Sequence, residues 1–128
     1  MKGFADLATS RREWIENVLV PWCRQASRPD LLNAEAEWGD IAGRVDPAAT
    51  LWTWAWGRFP DLVHEGLPGI NETYPVRVTL QDGTSAVGYP DSRRSEQGRL
   101  VIVATGTGGE SVEAGPFSID EIQSVVRA

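Results

Sequence analysis

The spacing of apolar residues changes once along this chain. Up to about residue 45, large apolar side chains recur at steps of three and four, the spacing of one face of a helix. From residue 76 to residue 89 they alternate with other residues, the spacing of a strand with one buried face. The change predicts a helical first part (residues 1–46) and a mainly β second part (residues 47–128) that closes with a helix. A length of 128 residues suits a single domain, here of the α+β class.

The first helix is predicted over residues 11–25. Residues 10–13 have the sequence of a capping box, which marks a helix start. Pro21 lies inside the pattern and removes the hydrogen bond to the carbonyl of Asn17, so we expect a kinked helix. Cys23 lies on the apolar stripe and is expected to be a small buried residue. The stripe consists of Trp14, Ile15, Val18, Leu19, Trp22, Cys23 and Ala26.

A second helix is predicted to start after a short turn at residues 27–30. Its apolar stripe consists of Leu31, Ala34, Trp38, Ile41, Ala42 and Val45. Three acidic residues, Glu35, Glu37 and Asp40, largely face away from that stripe. The short link predicts a roughly antiparallel hairpin of two helices. This hairpin is not expected to read DNA, because the second helix is acidic where a recognition helix is basic.

Residues 50–59 carry three of the six tryptophans, at a spacing of two. We predict one turn at Pro47–Thr50 and then a strand over Leu51–Gly57, because tryptophan and threonine favour strands. The alternative is a helix that begins at Pro47 and stacks Trp52 on Trp56. In either form we expect the tryptophans to be core residues, and the alternative is an exposed aromatic platform for a ligand.

A β-hairpin is predicted around Asp82-Gly83, a pair that favours two-residue turns. With Gln81 opposite Thr84, the register pairs Val78 with Val87 and Val76 with Tyr89. All four apolar residues would then lie on one face of the sheet.

The remaining elements are predicted from residue 100 onward. Residues 100–104 form an apolar run typical of a strand buried on both sides, and residues 111–114 form a short strand. A second capping box at residues 118–121 predicts a C-terminal helix with Ile119, Ile122, Val125 and Val126 on one side. Together with the tryptophan strand, this makes about five short strands. We expect a small curled antiparallel sheet, a partly open barrel of the SH3-like or Sm-like kind.

The net charge of −6 is concentrated in the middle of the chain, where residues 29–72 contain eight acidic and two basic residues. This acidity disfavours a protein whose main task is to grip nucleic-acid phosphates, and it permits a partner with a basic face. The single Cys, the lack of an apolar signal region and the lack of a long apolar run indicate a cytoplasmic protein with no membrane segment. One Cys and one His are too few for a zinc site built from those residues.

Candidate chemistry is sparse. The Gly-rich residues 105–110 follow a buried strand but lack the third glycine of a dinucleotide fingerprint and the lysine of a phosphate loop. A hydrolase would have to use paired carboxylates, such as Asp61 with Glu65, and His64 is the one conventional base. We therefore expect no cofactor and no metal, and we interpret the chain as non-enzymatic.

Two clusters of residues, one acidic and one basic, are candidate binding sites. The acidic cluster is Glu35, Glu37 and Asp40, and the basic one is Tyr89, Arg93, Arg94 and Arg99. The expected function is protein–protein interaction with a basic partner, through the acidic second helix and the loops at residues 58–74 and 91–99. The first alternative is single-stranded nucleic-acid binding by the barrel and its basic loop. The second is a small hydrolase that uses carboxylates.

Overall fold

The computed structural model describes residues 11–128, in which helices precede a five-stranded sheet. Residues 11–14 are α-helical and continue into a π-helical segment, Ile15–Leu19, and into α1. These three pieces are together called the N-terminal helix. The helices are α1 (Val20–Gln25), α2 (Arg28–Ala36), α3 (Trp38–Ala42) and α4 (Leu51–Trp56), with a 3-10 turn at Pro60–Leu62. The strands are β1 (Val76–Leu80), β2 (Ser85–Pro90), β3 (Arg99–Thr105), β4 (Ser111–Ser118) and β5 (Ile122–Arg127).

The N-terminal helix confirms the predicted helix, and its distortion takes the form of a π turn. Pro21 has no N–H, and its ring would crowd the carbonyl one turn earlier. The backbone widens there, so that the N–H of Val20 donates to the carbonyl of Ile15, five residues back. Cys23 is fully buried, as predicted. Ser10, the expected N-cap, lies outside the described residues.

The second predicted helix is divided at Glu37 into α2 and α3. Ser27 begins α2, and its hydroxyl accepts a hydrogen bond from the N–H of Asp30. Leu31, Ala34 and Trp38 are buried as the stripe predicted, whereas Val45 lies beyond the helices and is 46% exposed.

The predicted tryptophan strand is wrong: Leu51–Trp56 is the helix α4. A helix places Leu51, Trp52, Ala55 and Trp56 on one side, and all four are buried there. A strand would have turned Leu51 and Ala55 away from the two tryptophans. The prediction that the three tryptophans are core residues is confirmed for Trp52 and Trp56, which are 5% and 3% exposed, whereas Trp54 is partly buried and packs against the core.

The five strands form one open antiparallel sheet with the order β4-β3-β2-β1-β5. The sheet does not close into the expected barrel. Residues 122–127 form β5, so the predicted C-terminal helix is also wrong. The β-branched Ile122, Val125 and Val126 suit a strand, and pairing with β1 satisfies backbone groups that β1 would otherwise leave open.

The hairpin of β1 and β2 exists, but its register differs by one residue from the prediction. Val78 pairs with Ala86 and Val76 pairs with Gly88. The loop is one residue longer than expected because the Asp82 carboxylate accepts hydrogen bonds from the N–H and hydroxyl of Thr84, while Gly83 takes a positive φ of 91°. The shift turns Val87 and Tyr89 to the opposite face of the sheet from the predicted one.

Gly88 explains why the core side of β2 has this register. A Cβ at Gly88 would lie 2.8 Å from the carbonyl oxygen of Val103 on β3. Only glycine lets the two strands approach this closely, so Gly88 must be the residue of β2 that approaches Val103 on the core side.

The helices cover one face of the sheet, and a single core lies between them. Val76, Val78, Leu100 and Ile102 contribute from the sheet, and α4 contributes its tryptophan side. The other face is here called the outer face; Arg77, Val87, Tyr89 and Val126 lie on it and are exposed. Within residues 11–128, none of the helices is long and apolar enough to cross a membrane.

Candidate functional site

The structure distributes the seven predicted binding residues over separate surfaces. Asp40 lines an apolar groove on the helical side. Glu35 and Arg93 line a cavity between the helices and the loop at residues 91–98. Tyr89, Arg94 and Arg99 belong to the outer face of the sheet or its edge, and Glu37 is exposed between α2 and α3. The predicted acidic and basic clusters therefore do not form two continuous sites.

The groove on the helical side is here called the aromatic groove and has a volume of about 490 Å³. Its most exposed large side chains come from the N-terminal helix: Trp14 is 43% exposed, Val18 is 51% exposed and Trp22 is 41% exposed. They follow one another at steps of four residues. The full lining is Trp14, Val18, Leu19, Trp22, Ala34, Asp40 and Ile41.

The aromatic groove exists because the apolar stripe of the N-terminal helix is wider than its packing surface. Leu19, Cys23 and Ala26 are buried in the core. Trp14, Val18 and Trp22 lie on the flank, where α2 and α3 cover them only in part. Each tryptophan leaves on the order of 100 Å² in water. Covering both would yield about 5 kcal/mol as an upper bound, at about 25 cal/mol per Å².

Asp40 is the only charged residue among the described ones that line the aromatic groove. The surrounding residues 30–46 contain five carboxylates and one arginine. The groove therefore combines an apolar floor with a negative edge, and it favours a ligand that presents apolar groups beside a cation.

A second feature, here called the Glu35 cavity, has a volume of about 550 Å³. Trp52, Trp56 and Ile70 supply apolar wall, and Glu35, Arg93 and Glu96 supply charge. Each carboxylate oxygen of Glu35 accepts one hydrogen bond from another side chain. The indole N–H of Trp52 donates to Oε2, and the side-chain amide of Gln97 donates to Oε1 at 2.7 Å.

Gln97 reaches Glu35 because the loop before β3 is held in an uncommon conformation. Gln97 has a positive φ of 51°, which is rare for residues other than glycine. The guanidinium of Arg28 donates to the Gln97 carbonyl at 2.9 Å, and the N–H of Ile119 donates to the Gly98 carbonyl at 2.7 Å. A Cβ at Gly98 would meet the Trp52 ring at 2.8 Å, so glycine lets the loop approach the tryptophan.

The predicted basic cluster is divided. Arg93 lines the Glu35 cavity, whereas its neighbour Arg94 makes salt bridges to Asp91 at 3.8 Å and to Glu113. Tyr89 is 51% exposed and pairs with Val103 on the outer face. Only part of the cluster is thus available to a single nucleic-acid strand.

The residues considered for hydrolysis do not meet in one cavity. His64 lines a third cavity of about 450 Å³, and no carboxylate of the described residues lines it. Burial raises the pKa of the Cys23 thiol to about 11, against the lowering effect of the Arg58 guanidinium. Within residues 11–128, no three His, Cys, Asp or Glu side chains lie together in a way that could hold a metal ion.

Sequence reasoning missed the role of the flank of the N-terminal helix. The predicted stripe placed Trp14, Val18 and Trp22 beside Leu19, Cys23 and Ala26 and did not indicate which of them stay exposed. The available signal was the width of the stripe, since its seven residues within positions 14–26 exceed one helix-packing face. Comparison of the chain with protein-family models, with curated proteins and with solved structures gave no significant match.

Proposed function

We propose that this chain is a protein-interaction domain that acts by binding and not by catalysis. Its partner segment is a short amphipathic helix with a lysine or arginine beside its apolar face, and it docks in the aromatic groove. The observation that carries the proposal is the row of half-exposed side chains at Trp14, Val18 and Trp22. Tryptophan is enriched among the residues that dominate the binding energy of protein interfaces.

The dimensions of the groove support a helical segment. Trp14 and Trp22 are eight residues apart, which is roughly 12 Å along a helix. Two turns of a partner helix span a similar length and present side chains at i, i+3, i+4 and i+7. The π turn at Ile15–Leu19 lies within this row, and π turns are frequent at functional sites.

Charge supports a basic residue next to the apolar anchor. Asp40 lies in the groove, and Glu37 is exposed one turn earlier. A lysine or arginine at the edge of the docked helix would pair with Asp40 in a partly exposed position. Such a pair contributes modestly to affinity and more to the orientation of the partner and to the association rate.

The proposal is tested with a display library of helical peptides selected against the whole chain. We expect the enriched peptides to combine apolar residues at helical spacing with a lysine or arginine. Val18→Glu places a charge in the middle of the groove at a half-exposed position, so it should abolish binding with little effect on folding. Asp40→Asn should weaken binding severalfold at low salt and less at high salt.

Val45→Glu is the matched control, because Val45 is also about half exposed (46%) and lies outside the groove. Binding that survives Val18→Glu contradicts the proposal. Binding that is lost in Val126→Glu instead would place the docking surface on the outer face. A wild-type dimer in sedimentation equilibrium that Val18→Glu dissociates would make the occupant a second copy of this chain.

A second candidate is the binding of single-stranded nucleic acid on the outer face. Tyr89 is exposed there, and Arg77 and Arg99 share the face by strand alternation. Fluorescence anisotropy with labelled oligonucleotides tests it. Tyr89→Ala with Arg99→Ala should then abolish salt-dependent binding, whereas Arg93→Ala should have little effect because Arg93 lines the Glu35 cavity.

A further inference from the structure

We infer that the Glu35 cavity binds an organic cation, an alkylguanidinium or alkylammonium group with an apolar stem. This site is separate from the aromatic groove. Ala34 lines the groove and Glu35 lines the cavity, so adjacent residues of α2 serve two surfaces. A volume of about 550 Å³ lies in the range of small-ligand sites.

Glu35 is the group that would receive the cation. Trp52 donates to one oxygen from α4, and Gln97 donates to the other at 2.7 Å from the loop before β3. The carboxylate is therefore held from two elements. Each oxygen keeps one further acceptor position, and two parallel acceptors match the paired N–H groups of a guanidinium.

The walls suit the remainder of such a ligand. Trp52, Trp56 and Ile70 line the cavity, and a stem of methylene groups would contact the small part of each side chain that the core leaves exposed. Glu35 and Glu96 outnumber Arg93, so the cavity has a negative balance. Arg93 also places one positive charge there, and for this reason the test includes an anion.

The backbone conformation at Gln97 helps to fix the position of the Glu35 carboxylate. Gln97 adopts a positive φ of 51°, a conformation that residues other than glycine keep only where their surroundings hold them. Arg28 holds the Gln97 carbonyl at 2.9 Å. The result is a side-chain amide aimed at a carboxylate on the cavity wall.

The inference is tested by recording ¹H–¹⁵N correlation NMR spectra of the whole chain during titration with butylguanidinium. We expect saturable shifts of the Trp52 indole N–H and the Gln97 side-chain amide, which both bond to Glu35. The Trp38 indole N–H bonds to Thr50 at 3.1 Å and should not move. Butylurea has the same shape without the charge, and pentanoate carries the opposite charge; both should bind at least tenfold more weakly.

Glu35→Gln should weaken butylguanidinium about tenfold or more, and Glu37→Gln should change it less than about twofold, because Glu37 lies outside the cavity. If thermal unfolding shows that Glu35→Gln is not folded, Glu96→Gln replaces it, with a severalfold loss expected. Equal binding of butylurea, tighter binding of pentanoate, or no saturable shift at millimolar concentrations would each overturn the inference. A blocked tripeptide with a central arginine distinguishes the sources: tighter binding than butylguanidinium indicates a protein side chain, and weaker binding indicates a free small cation.

Discussion

At the scale of single residues, Cys23 and Arg58 show how burial sets chemistry in this fold. The Cys23 thiol is fully buried, and the loss of solvation disfavours the thiolate. Its pKa rises from the ordinary value of 9.0 to about 11. Burial also lowers the pKa of Arg58, and Asp120 and Cys23 oppose that change. The thiol is thus a packing group and not a nucleophile at neutral pH.

The first prediction concerns Cys23 and alkaline pH. Because the folded-state pKa is raised, the unfolded chain releases its thiol proton first, from about pH 9 upward. The free energy of unfolding should therefore fall between about pH 9 and pH 11 and not below that range. Denaturant titrations should show this added slope in the wild type and not in Cys23→Ala. At pH 8, a disulfide reagent should label the native thiol far more slowly than the denatured one; immediate stoichiometric labelling would contradict its burial.

At the scale of elements, one arginine connects two helix ends. The guanidinium of Arg58 donates to the carbonyls of Cys23 at 2.9 Å, Ala26 at 2.8 Å and Ala55 at 3.0 Å. The first two belong to the end of the N-terminal helix and the third to the end of α4. Helix ends leave such carbonyls without partners and carry partial negative charge, so a cation is well placed there.

The second prediction follows from these three hydrogen bonds. Arg58→Ala should lower the free energy of unfolding by about 2–3 kcal/mol, because it removes the guanidinium donor from the carbonyls of Cys23 and Ala26. Arg58→Lys should recover only part of the loss, since an ammonium cannot reproduce the planar geometry. Arg44→Ala, at an exposed arginine, is the control and should change stability by less than about 0.5 kcal/mol in chemical denaturation. Equal effects of the two alanine variants would contradict the assigned role.

At the scale of the whole molecule, the sheet and the helical layer are joined by a contact between distant parts of the chain. Both oxygens of Asp120 accept from the N–H of Arg28 at 3.0 Å, 92 residues away. Asp120 therefore caps the N-terminus of α2 together with Ser27. In the sequence it belonged to the predicted cap of a C-terminal helix that does not form.

The third prediction tests this joint. Asp120→Ala should lower the free energy of unfolding by about 1–2 kcal/mol, and Asp120→Asn should lower it less because an amide oxygen can still accept. Glu121→Ala removes the same charge at the next position and should be close to neutral. Hydrogen exchange should show faster exchange at the start of α2 in Asp120→Ala. Unchanged protection there would mean that the contact does not stabilise the helix.

Local patterns determined the helical first part, the buried Cys23, the strands around residues 76–90 and 100–104, and the core role of Trp52 and Trp56. These features depend on the spacing of apolar residues and on turn-forming residues within about ten positions of the chain, and both can be read from the sequence. Three of the predicted binding residues line cavities: Asp40 lines the aromatic groove, and Glu35 and Arg93 line the Glu35 cavity, although nothing in the sequence indicated that these two lie together.

The remaining features depend on contacts with a partner element that is distant in the chain. Leu51–Trp56 forms a helix because only a helix buries Leu51, Trp52, Ala55 and Trp56 together in the core. Residues 122–127 form a strand because they pair with the free edge of β1. The register of β2 depends on the approach of Val103 to Gly88, and the exposure of Trp14 and Trp22 depends on how much of the N-terminal helix α2 and α3 cover. The physical reason is common to all of these features. Residue types and their spacing limit the conformations that a segment can adopt, and contacts with residues distant in the chain determine which of these conformations is the most stable.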